Sequence, residues 1–377
     1  TTNWYQIEIA QLRSSEVIVS EETRLAWKTI LDEPLKIYGI DDFQPGAETA
    51  RKFGFFSEVQ GDVQSAVDWL KANGCEVNDR YLELFSDVKV KQSIPDEKQL
   101  ERLPKPVTYY AKYAFRGMCA SANERTFIGA LAPRGSMAIN AIRLAIFQTT
   151  KQLLYFSAFA SSIVADFIIK LKGRSNVVED DISQLPILEG QAMKHAVNRL
   201  LRLSCLSSAF ADIWKEGFND SMSNERFVIE NPPGFRFESH WKDLSAEWSN
   251  NVFFRNDYHR RQAMLEIDVL VAIEINLTIE ELIQVYSVQF PVMKTYENFD
   301  EYDLHGRRLP NTTRKDAGAK ELRDSLANHD GKTPVTVSWE IDNRNQTVTK
   351  TFHPPFKHID RIEDYKVAYR VFKERLG

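Results

Sequence analysis

The chain has 377 residues, 43% apolar and 27% charged. That is the ordinary globular range and a length for two or three domains, and it excludes a disordered chain, a collagen and a disulfide-stapled miniprotein. The net charge of −5 argues mildly against a nucleic-acid partner, and three scattered cysteines (Cys75, Cys119, Cys205) suit a reducing, cytoplasmic setting and no Cys-ligated metal. No run approaches 18 apolar residues, so no membrane span is expected. The opening Thr-Thr-Asn-Trp, without a Met or a basic-then-apolar leader, is expected of a chain processed or cut from something longer.

In chain order, Asp62 to Asn73 carries Val63, Ala66, Val67 and Leu70 at helical spacing, with Gly74 placed to cap it. A polar, Pro-bearing stretch from Gln92 to Pro106 reads as a boundary. Phe127 to Pro133 predicts a strand ending at proline, Arg134-Gly135-Ser136 a turn, and Ile139 to Phe147 a second strand. Lys151 to Lys172 predicts one buried helix capped at Gly173, with Lys170, Lys172 and Arg174 at its C-terminal end, where cations complement the helix dipole. Helices follow at Gln191 to Cys205, Ser207 to Glu216 and Asp257 to Ile275. Residues 217–256 read as a long excursion or docking loop. Thr278 and Glu281 form a capping box. Val335 to Ile341 and a Thr/Val run to Phe352 predict a β-hairpin, and Asp360 caps a last helix to Arg375.

The charge is unevenly distributed. Residues 1–101 hold 11 Lys/Arg and 19 Asp/Glu, residues 102–174 hold 11 and 2, and residues 175–377 hold 26 and 32. The middle segment thus carries +9 between regions of −8 and −6, with Glu124 and Asp166 as its acids. Nine excess positives on one folded unit make a polyanion footprint, against a bland reading of a solvated face.

Several chemistries are missing. There is no phosphate loop, dinucleotide-binding glycine motif, H-E-x-x-H or nucleophile elbow, and the seven histidines lack metal spacing. Asn231-Pro232-Pro233-Gly234-Phe235 resembles an adenine methyltransferase loop, but Gly234 stands where an aromatic ring would stack, so it reads as a turn. Pro95-Asp96-Glu97-Lys98 reads as a solvated turn rather than a nuclease cluster. The positive signal is Ser121-Ala122-Asn123-Glu124-Arg125-Thr126 inside the basic segment. Asn123 suits an adenine edge and Arg125 a guanine edge, while Ser121 and Thr126 suit phosphates. The competing reading has Asn123, Glu124 and Arg125 locking one another in a structural turn.

This stretch resembles the target-recognition region of large bacterial adenine-specific DNA methyltransferases of type IIG-like restriction–modification and phage-defence systems. The resemblance rests on Arg116, Asn123-Glu124-Arg125-Thr126 and Pro133, then on Phe156 to Lys170, Lys172 with Arg174, and Gln184-Leu185-Pro186-Ile187. It continues through Arg261, Glu266 and Asp268, Tyr286 to Phe290-Pro291, Gly306-Arg307-Arg308, and Asp360 to Tyr365, covering residues 107–377. The family's cofactor and catalytic motifs lie upstream of this region and are absent from this chain.

The resemblance implies the C-terminal specificity portion of such an enzyme, partnered by double-stranded DNA and an upstream catalytic domain that holds S-adenosylmethionine. This chain itself then has no catalytic residue, cofactor, metal or membrane partner. The expected fold is α+β, a mixed strand and helix DNA-recognition module with an appended helical region and a C-terminal hairpin plus helix. The expected parts are an acidic region 1–101, a recognition domain 102–190, a helical docking region 191–310 and a hairpin-helix 311–377. Arg116, Asn123, Arg125 and Arg134 are the expected base readers, with Thr126, Lys170, Lys172 and Arg174 on phosphates. A scaffold subunit presenting its acidic flanks and the Trp-bearing 241–254 loop is the alternative.

Overall fold

The computed structural model describes residues 107–377, apart from 121–122, 140, 328 and 342–345. The helix expected at Asp62 to Asn73, the Gln92 to Pro106 boundary and the Pro95 turn lie outside the described residues. Residues from Ala111 to Gly377 form one compact α+β unit.

Its first element is a three-stranded antiparallel sheet, ordered β2-β1-β3, from β1 (Lys112–Arg116), β2 (Gly129–Ala132) and β3 (Ile142–Ala145). Phe127 and Ile128 precede β2, and β3 is shorter than the Ile139 to Phe147 expected. Tyr113 and Phe115 bury one face of β1 against Phe127, and Tyr113 also meets Phe156 edge-on. β2 is an edge strand, kept close by small residues. A Cβ on Gly129 would overlap the Tyr113 phenol ring.

The single helix expected from Lys151 to Lys172 is two helices, α1 (Thr150–Ala160) and α2 (Ile163–Leu171), bent by 75°. The apolar spacing runs through the bend, but the hydrogen bonding does not. The Ser162 hydroxyl caps α2 by accepting the Ala165 N–H at 3.1 Å, and the Ile163 N–H goes to Asp268 at 2.8 Å. Gly173 ends α2 in the left-handed region, as expected.

After α3 (Glu179–Ser183), helices α4 (Gln191–Ser204) and α6 (Asp257–Glu274) make the centre of the unit, with α5 (Ala211–Gly217) beside α1. Both α4 and α6 are buried on nearly every side, so most of the polar groups they carry are paired, Arg202 Nη1 and Arg261 Nη2 excepted. Arg199 bonds Glu266 at 2.6 Å and Glu225 at 3.0 Å with no exposed side-chain surface. Between α5 and α6 the chain is irregular, as predicted, and alternates buried aromatic rings with exposed polar residues. Trp241, Phe227 and Phe254 pack on one another inside the core, so Trp241 presents no surface to a partner. Within this stretch Asn231 to Phe235 is the expected turn. The Phe235 N–H meets the Pro232 carbonyl at 3.0 Å, Gly234 has φ +87°, and the Phe235 ring is buried.

Helix α7 (Ile279–Gln289) starts at the predicted capping box, with Thr278 and Glu281 bonding reciprocally, and α8 (Pro291–Glu297) follows. Then come β4 (Glu301–Tyr302), α9 (Ala319–Leu326), the hairpin β5 (Val335–Ile341) and β6 (Gln346–Phe352), and β7 (Lys357–His358), which pairs with β4. The hairpin register runs from Val335 opposite Phe352 to Ile341 opposite Gln346, as the alternation implied. Asp360 caps α10 (Arg361–Leu376) through the Ile362 and Glu363 N–H groups. Tyr365, Ala368 and Phe372 of α10 complete the core that begins at Ala111. Among the described residues no single helix is long and apolar enough to cross a membrane.

Candidate functional site

Both acids of the basic segment hold the Asn-Glu-Arg-Thr element in place. Asp166 of α2, fully buried, accepts the Thr126 N–H at 3.1 Å and the Phe127 N–H at 3.0 Å. Burial pushes its carboxyl up, opposed by the Arg125 charge and these two amides. Glu124 accepts Arg314 Nη1 at 3.0 Å. The element is therefore braced from both sides before any ligand arrives.

The cations are less available than their spacing suggested. Arg125 donates to the Ser161 carbonyl at 3.2 Å and lies 3.9 Å from Asp268. Arg134 pairs with Glu216 at 2.9 Å, Arg143 with Glu179 at 2.9 Å and Lys151 with Glu189 at 2.6 Å. Lys170 donates to the Gln289 carbonyl and lies over the Phe290 ring. Lys172 and Arg174 share Asp181, at 3.1 and 3.5 Å, although Arg174 keeps 56% of its side chain exposed. Lys112 is buried and donates to the Ser136 carbonyl at 2.7 Å. Among the described residues most of these cations are thus paired with acids of the following segment or bonded to backbone carbonyls. Thr126, placed on a phosphate by the sequence, is only 6% exposed and its hydroxyl is enclosed.

Arg116 and Asn123 behave differently. Arg116 ends β1 with an exposed side chain that forms no hydrogen bond or ion pair among the described residues. It lies opposite Ile142, and its N–H meets the Ile128 carbonyl at 2.8 Å. Ile128, Arg116 and Ile142 therefore make a row on the outer face of the sheet, with the isoleucines 43% and 39% exposed. Asn123 donates its backbone N–H to Ala120, and its side-chain amide is unbonded among the described residues. Of the eight expected site residues, these two keep free polar ends.

Glu124 and Arg125 also line a cleft of 600 Å³ beside the edge strand β2. Phe127, Ile128, Met264 and Met293 give it an apolar wall. Arg260, Arg261, Arg308, Arg314 and Arg361 give it a cationic one. Arg314 forks onto Asp300 at 2.7 Å, Arg308 pairs with Asp316 at 2.7 Å, and Arg261 pairs with Asp364. The sequence marked Arg261, Arg308 and Arg361 as motif positions without a role and passed over Arg260 and Arg314. They come from distant segments, and no local spacing links them.

No family model, curated protein or solved structure matches the chain. Among the described residues no group of His, Cys, Asp or Glu is placed to hold a metal ion.

Proposed function

We propose that this chain recognises double-stranded DNA as the specificity portion of a bacterial N6-adenine DNA methyltransferase of a restriction–modification or phage-defence system. The observation that carries the reading is Arg116, unpaired among the described residues and outward between two exposed isoleucines on a braced sheet. A guanidinium is the commonest reader of a guanine edge, and an aliphatic side chain suits a thymine methyl. The free amide of Asn123 supplies the adenine-type donor and acceptor pair. Under this reading S-adenosylmethionine and base flipping belong to an upstream catalytic domain, and this chain supplies register and sequence discrimination.

The internal ion pairs set how such binding depends on salt. Eleven phosphate contacts would give a log–log slope near about −10, whereas two or three exposed cations give roughly −2 to −3. A gel-shift titration of the whole chain at two salt concentrations, against a pool of random duplexes, tests this. Shallow, salt-weakened binding that Arg116→Glu abolishes is expected. No binding to any duplex, or binding unchanged by Arg116→Glu, overturns the reading. A scaffold role is the second reading, favoured by the exposed Met137, Ile139 and Ile146 around β3. It predicts a protein complex that survives Arg116→Glu.

A further inference from the structure

The arginine cleft is lined by two buried guanidiniums, each of which leaves part of its hydrogen-bonding capacity unused. Arg361, at the first position of α10, has a side chain only 4% exposed. Its Nε lies 3.2 Å from Glu297 and its Nη2 3.6 Å from Asp268, yet neither Nε nor Nη1 makes a directed hydrogen bond. Arg261, with a side chain 9% exposed, pairs with Asp364 through Nη1 and leaves Nη2 without a partner. The two charges are near enough to oppose each other. A native protein rarely leaves a charged donor both desolvated and unbonded, and a missing ion is one of the ordinary explanations.

Most carboxylates around the cleft face an arginine; Asp257, also in the lining, accepts the Arg308 backbone N–H at 2.9 Å. Glu124 and Asp300 face Arg314, Asp316 faces Arg308, and Glu297 faces Arg361. Arg260 also lines the cleft and pairs with no carboxylate among the described residues; its Nη1 reaches the Leu203 carbonyl at 3.4 Å. What is missing is an acceptor with several oxygens, set against three guanidiniums. A phosphate meets that need and suits arginine's planar fork. The remaining volume and the Met264, Met293, Phe127 and Ile128 wall leave room for an organic group attached to it.

We propose that this cleft binds a phosphate carried on a nucleoside-sized group, whose oxygens accept from Arg361, Arg261 and Arg260. A free mononucleotide and a nucleotide of a DNA strand present the same chemistry. The inference does not depend on the Arg116 face, so either can fail without the other.

Isothermal titration calorimetry of the whole chain with AMP, inorganic phosphate and a short duplex tests it. One-site heat with AMP, weaker heat with inorganic phosphate, and about tenfold weaker AMP binding in Arg260→Gln are expected. Arg361→Gln should abolish the binding. Because Arg361 is buried and its loss threatens folding, the half-buried Arg260 and the wall variant Met264→Trp carry the test, with circular dichroism reporting their fold. AMP that displaces a bound duplex assigns the phosphate to DNA. AMP that binds without competing assigns it to a free nucleotide, and both outcomes support the site. No heat with any of the three probes up to about 1 mM, or AMP binding unchanged in both Arg260→Gln and Met264→Trp, overturns it.

Discussion

The Asp166 carboxylate accepts the backbone N–H of Phe127 at 3.0 Å and that of Thr126 at 3.1 Å, joining α2 to the entrance of β2. This one side chain fixes the Asn-Glu-Arg-Thr element to the helix behind it. Asp166→Ala leaves two buried amides without an acceptor and removes a buried negative charge that Arg125 feels. The expected loss is about 2–4 kcal/mol, read as a lower urea midpoint at unchanged slope. Asp166→Asn keeps one acceptor oxygen and should fall between. An Asp166→Ala protein as stable as the parent would mean the brace is redundant.

The ion pairs of the basic segment make a second prediction, in the opposite direction from the usual loss of function. Arg143 is held by Glu179, whose side chain is 78% exposed, so the pair adds little stability. Glu179→Gln frees the guanidinium without disturbing the core. Under the DNA reading it should tighten low-salt binding and steepen the salt slope by about −0.9. Arg134→Ala should change binding little, because its charge is already offset by Glu216 at 2.9 Å and Asp212 at 3.7 Å. The two variants and Arg116→Glu, compared in one gel-shift series, rank the cations. Equal effects at Arg116 and Arg134 would contradict the assignment.

Features with a local cause were legible in the sequence. The capping box at Thr278, the Asp360 cap, the Gly173 terminus and the β5–β6 pairing all depend on neighbours a few residues apart or on strict alternation. The bend at Ser161-Ser162 was not legible, since apolar periodicity continues through it and Asp268, which takes the Ile163 N–H, lies 105 residues away. The availability of the cations was not legible either. Arg134 finds Glu216 across 82 residues and Lys170 finds the Gln289 carbonyl across 119, so segment charge overstated the free positive surface. The Asn-Glu-Arg-Thr element was singled out by its composition. Its division into the free Asn123, the braced Glu124 and the engaged Arg125 is a tertiary property.

Gly129 offers a steric test of the same sheet. It sits at the start of β2, opposite Phe115, where a methyl group would overlap the Tyr113 ring. That ring is held between Phe115, Phe127 and Phe156 and is 1% exposed, so it has nowhere to move. Gly129→Ala should cost about 1–3 kcal/mol through overpacking. It should also perturb Ile128 and the cleft wall. A thermal midpoint unchanged in Gly129→Ala would show that β2 can shift outward on its free edge.

Acid should loosen the centre of the unit in two steps. Burial lowers the His259 imidazole from its usual 6.5 to about 4, with the Glu230 carbonyl bond opposing that fall. Above pH 6.5 both folded and unfolded chains hold it neutral, so it contributes no pH dependence there. As the pH falls below 6.5 the unfolded chain takes up a proton that the folded one refuses, and stability drops by about 3 kcal/mol by pH 4. Glu225 acts next. Burial raises its carboxyl, but the Arg199 charge and the His195 hydrogen bond outweigh this and bring it from 4.5 down to about 2. Its contribution is complete above pH 4.5 and is lost as the pH falls toward 2. Urea midpoints at about pH 7 and about pH 5 should therefore differ in the parent and converge in His259→Phe, whose ring can keep the stack on Phe227. Tryptophan fluorescence follows the unfolding, with Trp241 among the reporters because its ring packs on Phe227 and Phe254 in the same cluster. A His259→Phe protein that loses stability over the same interval as the parent would place the acid sensitivity elsewhere.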